Sequence, residues 1–177
     1  MASFLGVDYE LPIQSDGESL WIKLKQGANN VRILGEAVTG YQWWIGNEVT
    51  RVKSPVDVPS GQEHKHFWTI PVSVDGGPVK LLTITQATIQ RAIYELNANK
   101  NWGDAINYDL TITRTGADLD TTYSVVPNPK SPVKKSVKAE YKEWALDNSL
   151  GEIVFGVGIS QPPTPSKAND DDDSLPF

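Results

Sequence analysis

The chain has 177 residues, 16 Lys and Arg against 22 Asp and Glu, a formal net charge of −6 and no cysteine. Disulfides, thiolate zinc sites, iron–sulfur clusters and a cysteine nucleophile are thereby excluded, and two histidines, His64 and His66, leave little for a histidine-built metal site or triad. No apolar run approaches the ~18–20 residues needed to span a bilayer, and the acidic start MASFLGVDYELP lacks the basic opening of a signal peptide.

The expectation is therefore a cytoplasmic protein without a membrane partner, built as one ordinary domain plus tails. Its charge is unevenly placed. Residues 1–20 carry four acids and no base, residues 21–138 carry 14 bases and 10 acids, and residues 139–177 carry two bases and eight acids. A mildly basic middle between acidic ends points to an electrostatic partner or an acidic tail.

In chain order, residues 1–20 read as a loosely held acidic arm. LWIKL (20–24) reads as a short strand and QGANN (26–30) as a turn. The β-branched and aromatic run VRILGEAVTGYQWWI (31–45) reads as strand with bends or bulges at Gly35 and Gly40. Gly46-Asn47 predicts a hairpin turn into EVTRV (48–52), and SPVDVPSGQE (54–63) a loop. HFWTIPVSV (66–74) alternates, with Trp68, Ile70, Val72 and Val74 as the core face and Phe67, Thr69, Pro71 and Ser73 opposite. Pro71 implies an edge position or a bulge. DGGP (75–78) is a turn into VKLLTIT (79–85). A helix is predicted over TQATIQRAIYELNAN (85–99), capped by Thr85 or Thr88, with Ile89, Ile93 and Leu96 at helical spacing. INYDLTITR (106–114) and TTYSVVP (121–127) are strands around a turn at 115–120, and PNPKSP (127–132) ends the unit. VKKSVKAEYKEWALDN (133–148) is an amphipathic helix with Val133, Val137, Tyr141, Trp144 and Ala145 along one side. GEIVFGVGI (151–159) is a short strand or an apolar strap. SQPPTPSKAN (160–169) has the composition of a disordered linker.

The order β-β-β-α-β-β matches a mainly β fold: a five-stranded oligonucleotide-binding Greek-key barrel with one helix between strands three and four, extended by a C-terminal helix and a disordered acidic tail. A split αβ sandwich is the alternative. The domains are then the arm at 1–20, the binding domain at 21–159 with its helical extension at 133–148, and the linker and tail at 160–177.

Single strands are held without strong sequence preference by a basic groove with aromatic faces. Tyr41, Trp43 and Trp44 stand beside Arg51 and Lys53 across the predicted hairpin, and His64, Lys65, His66 and Phe67 follow. Trp43 and Trp44 are adjacent, so they point to opposite faces and at most one is core. Trp68 is assigned to the core, Phe67 to the face where stacking competes with burial, and Tyr123 either to core or to stacking. Lys80 and Arg114 sit on strands whose solvated side would be the groove, and Trp102 caps the barrel. Lys130, Lys134, Lys135 and Lys138 form a basic cluster that tracks phosphates or decorates a helix side. The two histidines without nearby carboxylates are a weak metal site. No acid/base set, two-metal set or phosphate-cradling glycine loop is present, so no enzyme and no cofactor are expected.

The last eight residues, DDDDSLPF, are the most specific signal. Asp170, Asp171, Asp172 and Asp173 suit a solubilising tail, but Leu175, Pro176 and Phe177 do not. Together they suit a docking peptide whose Phe177 enters an apolar pocket while the aspartates meet a basic rim. DDDDSLPF resembles the acidic tip of bacterial single-stranded-DNA-binding proteins, and HKHFWTIPV…LLTITQATIQRAI…NWGDAINYDLTITRTG…TTYSVVPNP resembles the replicative single-stranded-DNA-binding proteins of tailed bacteriophages. The resemblance covers about residues 20–130 and 170–177 and leaves 133–159 unmatched. It implies single-stranded DNA as ligand, roles in replication, recombination and repair in the host cytoplasm, and a tip that recruits a polymerase, helicase, primase or nuclease. The structural zinc of some phage relatives is not implied, because its cysteines are missing. The competing readings are an RNA-binding module of cold-shock type and a protein-interaction adaptor that never touches nucleic acid. A nuclease stands further off.

Overall fold

The structure, a computed structural model, describes residues 19–156. The expectations for the arm up to residue 18, for 157–159, and for the linker and tail lie outside the described residues. The elements are β1 (Trp21–Ile22), β2 (Gly27–Ile33), β3 (Val38–Ile45), β4 (Glu48–Val52), β5 (Lys65–Val74), β6 (Val79–Ile84), α1 (Ala87–Ala98), β7 (Tyr108–Thr115), β8 (Thr122–Lys130), α2 (Lys135–Asp147) and α3 (Leu150–Phe155). The protein is mainly β, but it is not five-stranded and its sheet does not close into a barrel. All eight strands belong to one sheet. Its path runs β1-β6-β5-β2-β7-β8, and the β3–β4 hairpin branches from β5.

Strand β5 organises that sheet. Its middle, from Trp68↔Ile84 to Ser73↔Val79, pairs with β6 on one side. On the other side it pairs first with β3, ending at Val38↔Thr69, and then with β2, from Ile33↔Val72. Pro71 lies where one partner gives way to the other. Its carbonyl accepts the Leu34 N–H at 2.9 Å, so its missing N–H also faces the changeover, where no ladder bond is lost. A central proline is thus accommodated without an edge position.

The apolar alternation builds the main core from Val31, Ile70, Val72, Leu82, Ile84, Tyr108, Leu110 and Ile112. Helix α1 presents Ile89 and Ile93, both buried, to this core and touches β8. It therefore covers one side of the sheet near its β8 end. Trp102 packs at a tilt on Tyr108, with ring centroids 5.5 Å apart. Helix α2 packs on the same body: Val137, Tyr141 and Trp144 cover Leu34 and Val79, and the Glu140 carboxylate accepts the Val79 N–H at 3.1 Å. Among the described residues no helix is long and apolar enough to cross a membrane.

Several local expectations are corrected. The predicted turn at 26–30 is mostly strand, because the buried Asn29 side chain does the turn's bonding: it accepts the Lys25 N–H at 2.8 Å and donates to the Lys25, Gly27 and Ile112 carbonyls. The run 31–45 is two strands, broken at 34–37. Gly35 lies in that break under the Tyr141 ring, and Gly40 lies inside β3, where a Cβ would strike the Val52 carbonyl and the Phe67 ring. Neither threonine caps α1; its N-cap is Gln86, without a side-chain capping bond. Strand β8 continues through Pro127 and Pro129 to Lys130, which an edge strand tolerates. The segment expected as strand or strap at 151–159 is helix α3 over its described part, started by Ser149 accepting the Glu152 N–H and ended by Gly156 at φ 79°.

Arg32 ties the far ends together. Its side chain, 9% exposed, pairs with Asp109 at 3.2 Å and donates to the Ile106 carbonyl at 3.0 Å and the Ser131 carbonyl at 2.7 Å. One guanidinium thus joins β2, the turn before β7, β7 itself and the end of β8. Arg32→Met is expected to lower stability by about 2–4 kcal/mol, since two carbonyls and a partly exposed carboxylate lose their donor; a urea midpoint unchanged from wild type would contradict this clamp.

Candidate nucleic-acid interface

The hairpin turn at Gly46-Asn47 puts Ile45 opposite Glu48 and Tyr41 opposite Val52, while β3 meets β5 through Tyr41↔His66 and Gln42↔Lys65. Directly paired residues share a face, so the two faces of this corner can be read off the register.

One face carries rings. Tyr41 lies 5.0 Å from the His66 ring and 5.7 Å edge-on from His64. The Trp68 indole N–H donates to His66 Nε2 at 3.2 Å, which requires the His66 proton to sit on Nδ1. Gln90 of α1 holds this end of β5 by donating to the His66 and Ile84 carbonyls. His64 and His66 are exposed, and Tyr41 and Trp68 are half-buried. The result is a cluster of four ring side chains, open to solvent at one end and anchored in the core at the other. His64, His66 and Trp68 alternate, and that pattern was the available sequence signal; it puts three rings on one face once β5 is known to begin at Lys65.

The other face carries cations, but they are not free rods in solvent. Arg51, Gln42 and Lys65 form a row across β4, β3 and β5. The Arg51 guanidinium lies 5.2 Å from the centroids of both the Trp21 and Phe67 rings and donates through Nε to Gln42 at 3.0 Å. Burial lowers its pKa to about 10. Phe67 is fully buried, and Phe155 of α3 lies 6.2 Å from it. Phe67 therefore cannot be a stacking platform: the short C-terminal helix supplies the second layer that buries it. Trp43 is likewise 5% exposed and part of the interior, whereas Trp44, on the opposite face, is half-buried. Lys53 is exposed and sits 5.4 Å over the Phe155 ring.

The remaining candidates lie elsewhere. Lys80 donates to the Ser19 carbonyl at 2.8 Å. Arg114 pairs with Tyr123 across β7 and β8 and donates to the Leu24 carbonyl at 3.4 Å, while Tyr123 packs against the main core. The structure thus brings Tyr41, Trp44, Arg51, Lys53 and Lys65 to one corner and leaves Lys80, Arg114 and Tyr123 apart from it. Asp170 to Asp173, Leu175, Pro176 and Phe177 lie outside the described residues. Among the described residues no three His, Asp or Glu side chains gather as a metal site.

Arg51 supports a concrete expectation. Burial holds its folded-state pKa below the usual arginine value, at about 10, so the unfolded chain binds the extra proton and stability rises as pH climbs past about 10. Arg51→Met should remove that pH dependence and leave neutral-pH stability within about 1 kcal/mol of wild type, because an apolar side chain between two rings needs no desolvation; a large loss at pH 7 would show the charge to be stabilising instead. The chain matches no protein-family model, and no curated protein or solved structure shows significant similarity to it.

Proposed function

We propose that the protein is a non-enzymatic, sequence-tolerant single-stranded-DNA-binding protein of the kind found in tailed bacteriophages, acting in DNA replication, recombination and repair. The observation that carries this reading is the solvent-open ring cluster of Tyr41, His64, His66 and Trp68 at the β3–β5 corner. Partly exposed rings held on a fixed base suit stacking against successive nucleobases. The exposed Lys53, just past β4 and on the face opposite the rings, adds positive charge at the same corner.

The connectivity supports the oligonucleotide-binding architecture as a finer reading. With β2 and β3 counted as one strand broken at 34–37, and the short β1 and the hairpin strand β4 counted as additions, the order becomes β2/β3, β5, β6, α1, β7, β8. The helix then falls between the third and fourth strands. Such barrels are often only partly closed, and a helix that packs on the core and touches β8, as α1 does, is compatible with an open one. The tip DDDDSLPF supports recruitment of a polymerase, helicase, primase or nuclease through its acidic and apolar halves.

Binding to dT oligomers of graded length at several salt concentrations tests the reading directly, because the salt slope reports the phosphates neutralised. Tyr41→Ala should weaken dT binding by about 5- to 100-fold, the loss of one stacked base, while Phe67→Leu should lower stability and leave the affinity of the folded protein unchanged. No binding to any dT oligomer rejects the proposal, and a preference for oligo-U over matched oligo-dT converts it to RNA binding. Deleting residues 170–177 should abolish partner capture and raise DNA affinity at low salt; unchanged behaviour in both assays removes the tip from the account.

A further inference from the structure

A groove of about 1030 Å³ runs between α2 and the ends of β2 and β8. Lys138, Tyr141, Lys142, Ala145 and Leu146 line it, at the i, i+3, i+4, i+7, i+8 spacing of a single helix face. Its floor is apolar: Ile33, Leu34, Val133, Tyr141 and Leu146, and Leu146 is 79% exposed. Lys130, Lys138 and Lys142 add positive charge, and no acid lines the groove. Arg32, the remaining cation, is already paired with Asp109. The groove thus has the chemistry to hold an extended segment that is apolar on one side and acidic on the other.

The chain contains such a segment. Within 4–13, Leu5, Val7, Tyr9, Leu11 and Ile13 alternate with Gly6, Asp8, Glu10 and Pro12, the period of a strand with one apolar face. The first described residues show where this arm joins the body. The Ser19 carbonyl accepts Lys80 Nζ and the Leu20 carbonyl accepts the Leu81 N–H. Because β1 runs parallel to β6, the chain preceding β1 meets the start of β6, at Val79. That residue packs with Leu34 and Val137 and is bonded through its N–H to Glu140 of α2. The arm therefore joins the domain beside the helix that forms the groove. Residues 14–18 span up to about 17 Å when extended, enough to pass around a helix about 10 Å across.

We propose that residues 4–13 dock in this groove as an extended strap, the alternate apolar side chains on its floor and Asp8 and Glu10 against Lys130, Lys138 and Lys142. The acidic tip at 170–177 is the competing occupant. It lacks the alternation, and thirteen residues separate it from Gly156, so the arm is favoured.

The chain has no cysteine, so introduced thiols have no native thiol to pair with. Full-length Tyr9→Cys/Leu146→Cys protein, under mild oxidation, should form an intramolecular disulfide about tenfold faster than Ser174→Cys/Leu146→Cys protein, reflecting the higher local concentration of a docked segment. Adding Lys138→Glu and Lys142→Glu should slow the first reaction severalfold. Faster closure of the tail pair would assign the groove to the tip, and disulfide-linked dimers would assign it to a second copy; either result overturns the proposal. In unmodified full-length protein, amides of residues 5–11 should exchange with deuterium at least about tenfold more slowly than those of an unstructured chain. Exchange at the unprotected rate overturns the proposal whatever the variants do. None of these measurements involves nucleic acid, so a failure here is distinct from a failure of DNA binding.

Discussion

The change of partner along β5 is the constraint on which the rest of the molecule depends. A strand that gives one half of its edge to β3 and the other half to β2 cannot lie flat, because its two neighbours leave in different directions. The β3–β4 hairpin is thereby carried off the main path of the sheet, and its ring-bearing face meets the first residues of β5 at an open corner. Beside that changeover, Phe155 of α3 packs against Phe67 of β5. Pro71 fits at the changeover for the reason that would exclude it elsewhere in a central strand: there is no ladder acceptor waiting for its missing donor.

Much of this was legible in residue patterns. The hairpin at Gly46-Asn47, the strand EVTRV, the return from DGGP and the helix carrying Ile89 and Ile93 all follow from local punctuation and apolar period. What was not legible depended on contacts distant in sequence. Whether Phe67 or Trp68 faces the interior cannot be decided by alternation when both faces of a strand are covered, and the cover over Phe67 comes from a helix nearly ninety residues later. That helix had its own signal in Ser149-x-x-Glu152 and Gly156, masked by an apolar composition that suits a strand equally well. The early start of β2 likewise turns on one bonded side chain, Asn29, whose third partner lies 83 residues away.

The candidate site shows the same division. Clustering of aromatics and cations around the hairpin could be read directly, but not which of them face water. Trp43 and Phe67 went to the interior, and Arg51 became a half-buried cation between two rings. The histidines, weighed as a poor metal site, stand instead as ring partners of Tyr41 and Trp68. The hydrogen bond from Trp68 to His66 is directional: it fixes one imidazole tautomer and, with it, the angle at which the exposed edge of the cluster is presented.

The edge strand β8 bears on how copies of the protein meet one another at high concentration. Its outer residues include Pro127 and Pro129, which carry no backbone donor, and the prolines sit at a register irregularity against β7. An edge of this kind is a poor template for another strand. Copies of the protein brought side by side at high local density can therefore stay individually removable, rather than fusing sheet to sheet along that edge.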